Sequence, residues 1–170
     1  MRTASDSAIA WTARETALGW LLVAQTSHGL CAVGLYDDPE GAGAALRAGF
    51  PGAELTRDDA ALDSRAEAIL ACIDGDGAAL DLPLDVRATA FQLRVWQALR
   101  AIPRGETRTY SELAEAIGAP KAVRAAASAC ARNRIAILIP CHRVTSKGGS
   151  LTGYRWGIER KRALLAREAE

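Results

Sequence analysis

At 170 residues, 49% of them apolar, the chain has material for one compact domain, or two small ones sharing an interface, without disulfide or metal staples. No apolar run approaches the ~20 residues needed to cross a bilayer, which excludes a spanning segment. The net charge of +1 hides a division: residues 1–86 carry 5 Lys and Arg against 14 Asp and Glu, a net of −9, whereas residues 87–170 carry 16 against 6, a net of +10. Such asymmetry fits a second half that meets a polyanion, and equally a basic half that docks against the acidic one.

Met1-Arg2-Thr3-Ala4-Ser5-Asp6 leads into no apolar stretch of signal-peptide type, so the expectation is a soluble, cytoplasmic protein. Its four cysteines, Cys31, Cys72, Cys130 and Cys141, are then expected as reduced thiols, and none are spaced as CxxC. His28-Gly29-Leu30-Cys31 would need ligands from elsewhere to hold a metal; the alternative is a turn histidine followed by a buried strand cysteine.

In chain order, residues 8–14, 18–25 and 30–36 are rich in Ile, Trp, Leu and Val and are separated by Ala17-Leu18-Gly19 and Ser27-His28-Gly29, which predicts a small antiparallel meander. Asp37-Asp38-Pro39-Glu40 opens a helix with Pro in its first turn, and Phe50-Pro51-Gly52 ends it. From Asp58 to Ile73 the apolar residues Ala61, Leu62, Ala66, Ile69, Leu70 and Ile73 recur at helical spacing until Asp74-Gly75-Asp76-Gly77 stops them. Leu80 to Val86 reads as a short strand or extended link.

The second half reads as mostly helical. Thr89-Ala90-Phe91-Gln92 is a capping-box start, and Phe91, Val95, Leu99 and Ile102 form one stripe, flanked by Trp96 as a core residue. Pro103-Arg104-Gly105-Glu106 breaks that helix. Thr109-Tyr110-Ser111-Glu112 is a second capping box, opening a short helix that Gly118 closes, and Pro120 takes the first position of a third helix running to about Arg132. Two helices joined by a Gly-containing turn have the form of a helix-turn-helix. The second of them is alanine-rich around a single central arginine. Such a helix either lets its backbone approach DNA while reading little sequence, or packs as a core helix. Ile135 to Ile139 reads as a buried extended run stopped by Pro140, Lys147-Gly148-Gly149-Ser150 as a mobile loop, and Ile158 to Glu168 as a terminal amphipathic helix. No internal repeat or low-complexity linker interrupts the chain.

Chemistry concentrates at Cys141, which follows a buried run and precedes His142 and Arg143. Cationic or imidazole neighbours lower a thiol from about 8.5 toward neutrality. Pro140 removes a donor and fixes the chain direction. A Cys-His pair by itself is nevertheless also consistent with an inert core cysteine.

Pro140-Cys141-His142-Arg143-Val144, preceded by Ile137-Leu138-Ile139, resembles the active-site signature of the O6-alkylguanine-DNA alkyltransferases, the methylated-DNA–protein-cysteine methyltransferases. Tyr110, the Pro120-Lys121-Ala122-Val123-Arg124 helix, Asn133 and Gly153-Tyr154-Arg155-Trp156-Gly157 extend the likeness, which is close over about residues 87–170 and looser over 9–86, and is strongest to the methyltransferase part of Ada-type members. The resemblance implies an α+β fold: a ribonuclease-H-like strand-helix supporting domain (1–86) and a mostly helical, winged-helix-like DNA-binding domain (87–170). It implies DNA repair by direct reversal, in which an alkyl group moves irreversibly, once per protein, from O6 of guanine, and from O4 of thymine, to the protein's own cysteine. Residue by residue, it assigns Cys141 as acceptor and His142 as the group taking the thiol proton through a water. Glu168 orients that histidine, Asn133 is the hinge asparagine, and Tyr110 stands beside the flipped base. Arg124 fills the vacated stack, with Lys121, Ala125 and Ser128 on the DNA side of the same helix. Val144, Tyr154, Arg155 and Trp156 line the base pocket. The implied partner is duplex DNA containing O6-alkylguanine, bound by a monomer with no membrane, no cofactor and no metal.

Some family members bind zinc through N-terminal cysteines and histidines, and the first half here lacks that set. Trp156 stands where some relatives have glycine and is expected to narrow the pocket against bulky adducts. Cys130 is expected to be structural, or a minor alkylation site. Three other classes of function compete. A damage-marking module without chemistry would lack the acceptor, which Cys141 supplies. A thiol hydrolase using Cys141 and His142 would turn over repeatedly. A sequence-reading transcription factor is disfavoured by the alanine-rich helix.

Overall fold

The computed structural model describes residues 8–75 and 81–170, and the chain divides into two compact units, Met1–Val86 and Arg87–Glu170. The Met1-to-Asp6 segment, Asp76 and Gly77 of the predicted helix stop, and Leu80 lie outside the described residues. Among the described residues no helix is long and apolar enough to cross a membrane, and no three His, Cys, Asp or Glu side chains gather to hold a metal.

The first unit is a four-stranded sheet in the order β3-β2-β1-β4. Strands β1 (Ala8–Thr16), β2 (Gly19–Gln25) and β3 (Leu30–Tyr36) form the antiparallel meander. Leu21 to Ala24 and Leu30 to Leu35 are buried without alternation, so the centre of the sheet is covered on both faces. Helix α1 (Pro39–Gly49) starts at Asp38, whose carboxylate accepts from Gly41 N at 2.6 Å, and sets Ala42 and Leu46 against Ile9, Leu22 and Ala32. Strand β4 (Glu54–Arg57) then pairs parallel with β1. The sequence did not signal β4, because one apolar residue in four leaves nothing to alternate on an edge strand. Helix α2 (Asp59–Asp74) is capped by Asp58 and ends at Gly75 in the left-handed conformation. His28 is exposed in the β2–β3 turn and Cys31 is buried in β3, the second of the two readings given for that pair. Residues 81–86 are extended, joined to β3 by hydrogen bonds from Leu30 N to Pro83 O (2.8 Å) and from Asp85 N to Leu30 O (2.7 Å). A Cβ on Gly29 would stand 2.6 Å from Pro83 O, so only glycine permits that approach.

The second unit holds α3 (Ala90–Arg100), β5 (Arg108–Thr109), α4 (Tyr110–Ala116), α5 (Val123–Ala131), a 3-10 turn (Cys141–Arg143), β6 (Val144–Thr145) and α6 (Ile158–Glu168), with β5 and β6 paired in parallel. Both capping boxes form: Thr89 with Gln92 opens α3, and Thr109 with Glu112 opens α4. Trp96 is buried and donates its indole N–H to Ala129 O at 2.9 Å, fastening α3 to α5. Two expectations fail. Pro120 lies in the turn before α5, which begins at Val123. The Ile135–Ile139 segment forms turns around an isolated bridge at Ile135. An apolar run of five residues fits a buried turn as well as a buried strand, since periodicity cannot separate them.

Candidate active site

The residues from Asn133 to Cys141 are folded back on themselves by two tight turns of opposite hand. Leu138 N donates to Ala136 O at 2.7 Å across Ile137, whose φ is +73°, the strained γ-turn in which a β-branched residue is rare. Cys141 N donates to Ile139 O at 2.8 Å across Pro140 (φ −81°, ψ 65°), the relaxed inverse γ-turn that the proline ring favours. The proline therefore aims Cys141 out of this turn into the short 3-10 segment. Strain at Ile137 persists because Asn133, which is wholly buried, braces the loop from inside. Its Oδ1 accepts from Ile135 N (2.9 Å), and its Nδ2 donates to Ile135 O (3.2 Å), Ile139 O (2.8 Å) and Cys141 Sγ (3.3 Å). The two carbonyl acceptors require an NH2 on that side, which fixes the amide orientation.

The Cys141 thiol is buried, and burial pushes it above its ordinary range, against the opposing pull of Asn133, Lys161 and Arg155. The expectation of a thiol lowered toward neutrality by its neighbours is thus reversed. Desolvation outweighs them, and Arg143 turns its charge elsewhere. Burial also holds His142 below its ordinary value, offset by Glu168. His142 Nε2 lies 2.8 Å from Glu168 Oε1, while His142 Nδ1 is buried without a hydrogen-bond partner among the described protein atoms. The Glu168 side chain is only 6% exposed despite lying at the end of α6. Burial raises its carboxyl, but hydrogen bonds from His142 and Arg143 and their charges overcome that and bring it down to about 2.

Helix α5 divides the two readings made of its alanines. Arg124, Ala125 and Ser128 are exposed, as is Lys121 just before it, whereas Ala126, Ala129 and Cys130 are buried. One face is core, the other open. Burial and the neighbouring Cys141 push the Cys130 thiol up to about 12. Tyr110 is the first residue of α4 and half-buried. Burial raises its phenol, as do Cys130 and Cys141, while a hydrogen bond with the Thr152 side chain lowers it. Tyr154 and Trp156 meet edge to face, ring centres 5.2 Å apart, and the Tyr154 hydroxyl is buried. Arg155 donates to Asn133 O at 3.2 Å. Both backbone groups of Val144 are engaged, its N–H with Cys141 O and its carbonyl with Lys161 at 2.6 Å.

Two residues here were not singled out from the sequence. Lys161 is wholly buried and donates to the carbonyls of Val144, Thr152 (3.2 Å) and Gly153 (3.5 Å), so one ammonium group organises the β6–α6 loop. Its signal was a lysine on the stripe that carries Leu164 and Glu168 in α6. Arg143 grips Glu168 through Nε (3.0 Å to Oε2) and Nη2 (2.8 Å to Oε1) and Ile102 O through Nη1 (2.8 Å). It was read only as a charge beside the thiol.

A family model described as "6-O-methylguanine DNA methyltransferase, DNA binding domain" matches residues 90–170. The "Bifunctional transcriptional activator/DNA repair enzyme Ada" of Escherichia coli (strain K12) is 49% identical over 163 residues, 96% of this chain, although the chain spans only 46% of that protein's length. An inducible "Methylated-DNA--protein-cysteine methyltransferase" of Bacillus subtilis (strain 168) is 43% identical over 144 residues, 84% of this chain and 80% of the relative. Among solved structures, Mycobacterium tuberculosis OGT in complex with DNA superposes with a TM-score of 0.80 at 38% identity, covering 95% of this chain and 92% of that one. That likeness matches a mixed α+β architecture with an N-terminal sheet and a helical C-terminal part. With these relatives, and with a buried Cys-His-Glu cluster beside a helix exposed on one face, the chain belongs to the O6-methylguanine-DNA methyltransferase family.

Proposed function

We propose that the protein repairs alkylated DNA by direct reversal, moving a methyl or other alkyl group from O6 of guanine, and from O4 of thymine, to Cys141 in one irreversible event. The observation that carries this reading is the division of labour on His142. Its Nε2 is engaged by Glu168, so that nitrogen carries the hydrogen and Nδ1 keeps a lone pair, buried and free to take the thiol proton. The thiol proton passes to His142, through a water as in the family. The sulfur lone pair forms the S–C bond, the C–O6 bond breaks, and the guanine leaves after gaining a proton, with Tyr110 as donor at N3. The thioether has no leaving group that nearby residues can activate, so the protein is consumed.

The base reaches the site by rotating out of the duplex, at a cost of a few kcal/mol. Arg124 offsets part of it by occupying the vacated stack, and the exposed Lys121, Ala125 and Ser128 let the α5 backbone approach the DNA. The second lone pair of Val144 O receives the base, while Tyr154, Arg155 and Trp156 wall the pocket. Trp156 disfavours adducts larger than methyl. In this reading residues 1–86 are a ribonuclease-H-like support and residues 87–170 a winged-helix-like alkyl-transfer domain; the parallel placement of β4 beside the meander and the β5–β6 pair packed on α4 support these assignments. The protein acts as a monomer on duplex DNA in the cytoplasm, where its thiol stays reduced.

Mixing the protein with a duplex holding one O6-methylguanine and measuring intact mass and peptide masses tests the proposal. One added methyl on the Cys141 peptide, absent from Cys141→Ser, is the expected result. Binding without a mass change would make the protein a damage-recognition module, and repeated turnover would refute the acceptor mechanism.

A further inference from the structure

The carboxylate that orients His142 sits at a mechanically poor place. Glu168 is the final residue of α6, and the last four carbonyls of a helix lack intrahelical donors, so this turn is the first to loosen. The α3–β5 loop meets it at three points. Arg143 Nη1 donates to Ile102 O at 2.8 Å while the rest of its guanidinium holds the Glu168 carboxylate. Arg104 Nη2 donates to Arg167 O at 3.1 Å, reinforcing a carbonyl that otherwise accepts only from the fraying end of the chain, Glu170 N at 3.4 Å among them. Gly105, at φ +85°, brings its backbone so near that a Cβ would stand 3.1 Å from Glu168 O.

We propose that Arg143 is a positioning residue for the alkyl transfer, acting through Glu168, with the Ile102–Gly105 loop as the frame that holds it; this rests on the acceptor chemistry proposed above. The planar guanidinium suits the task, since its rigid fork spans a carboxylate and a carbonyl at once, which a lysine cannot reproduce. Its effect is electrostatic as well as geometric. Glu168 Oε1 is shared between His142 Nε2 (2.8 Å) and Arg143 Nη2 (2.8 Å) and Nε (3.2 Å). A carboxylate drawn toward a second cation supports less positive charge on the imidazole, so His142 meets the thiol as neutral base. The charged and titratable groups facing His142 are Glu168 and Lys161 from α6 and Arg143 on its own turn; Cys141 is its chain neighbour, and Tyr154 lies within electrostatic reach of Glu168. Of the cations, Arg143 outranks Lys161 in holding the imidazole down.

The test is the single-turnover rate of methyl transfer between about pH 5 and 9, with the end point, methyl per protein, recorded separately. Arg143→Gln is expected to slow transfer roughly 10- to 100-fold with the end point still one methyl. Its acid limb moves to higher pH, because the charge opposing protonation of His142 is gone. Arg143→Lys keeps the charge and loses the fork, so its rate falls while the limb stays. Gly105→Ala disturbs the frame without touching any charge and slows transfer at an unmoved limb, which keeps the idea open to test should Arg143→Gln fail to fold. Wild-type rates in Arg143→Gln or in Gly105→Ala overturn the proposal, as does a slow Arg143→Gln whose limb has not moved. A wild-type protein that takes up no methyl would sink the alkyl-transfer reading itself, whereas transfer that is indifferent to Arg143 would sink only this inference.

Discussion

Replacing Asn133 with alanine is the sharpest test of how the acceptor is held. The buried Ile135 N–H loses the Oδ1 that accepts from it, at a cost of about 1–3 kcal/mol for an orphaned donor. The carbonyls of Ile135 and Ile139 lose the Nδ2 hydrogen bonds but keep Ile139 N and Cys141 N as donors, so each adds only about 0.5–1 kcal/mol. The whole comes to about 3 kcal/mol, which for a chain of this size lowers the melting temperature by about 6–12 °C. Relief of the positive φ at Ile137 should then let the turn relax and Cys141 drift, so the transfer rate falls further than the unfolded fraction explains. Calorimetry or circular dichroism gives the first quantity, and single-turnover kinetics well below the transition gives the second. A melting temperature within about 1 °C of wild type, with an unchanged rate, would refute the view that this amide braces a strained turn.

The pH dependence of stability follows from two groups whose folded values lie below their unfolded ones. Glu168 is down at about 2 from an ordinary 4.5, so its contribution is complete above about 4.5 and is lost as pH falls toward 2. His142, also depressed, begins to cost stability as pH falls below its ordinary 6.5. Glu168→Gln should therefore show a shallower loss of stability across the acidic window in denaturant titrations. Thiol reagents at neutral pH should label the half-buried Cys72 before the buried Cys130 and Cys141, whose thiols burial pushes up; peptide mapping after timed quenching reads the order. Trp156→Gly should raise the transfer rate with a benzylated guanine roughly 10-fold or more relative to methyl, by the ~1–3 kcal/mol that pocket size contributes to discrimination; no gain in a competition assay would show that Trp156 does not limit pocket size.

The helices of this chain were legible because their signals are local. Two capping boxes, Asp38 with Pro39, and Gly75 and Gly118 at helix ends each announce a boundary within four residues. What escaped depends on partners distant in sequence. β4 exists because β1 offers it an edge, and Ile135–Ile139 turns instead of extending because Asn133 supplies the hydrogen bonds a strand would otherwise find in a sheet. The pentapeptide around Cys141 marked the site, but the direction of its thiol shift did not follow from composition. Counting nearby cations overlooks that Arg143 is turned toward Glu168 and that burial dominates. Lys161 was hidden by its type, since a lysine on a helix is usually solvated and this one replaces a missing backbone network.

The reversed shift of Cys141 bears on how such a molecule survives before it is used. A thiol held protonated is a sluggish target for peroxides and for the small electrophiles of metabolism, because those react with thiolate. An ordinary enzyme that suffers a stray modification loses one catalyst among many turnovers, but a protein consumed by its own reaction loses its entire output. On the alkyl-transfer reading proposed above, keeping the sulfur dormant until a base fills the site separates shelf life from reactivity, and the burial that slows the resting thiol preserves each copy for its single use.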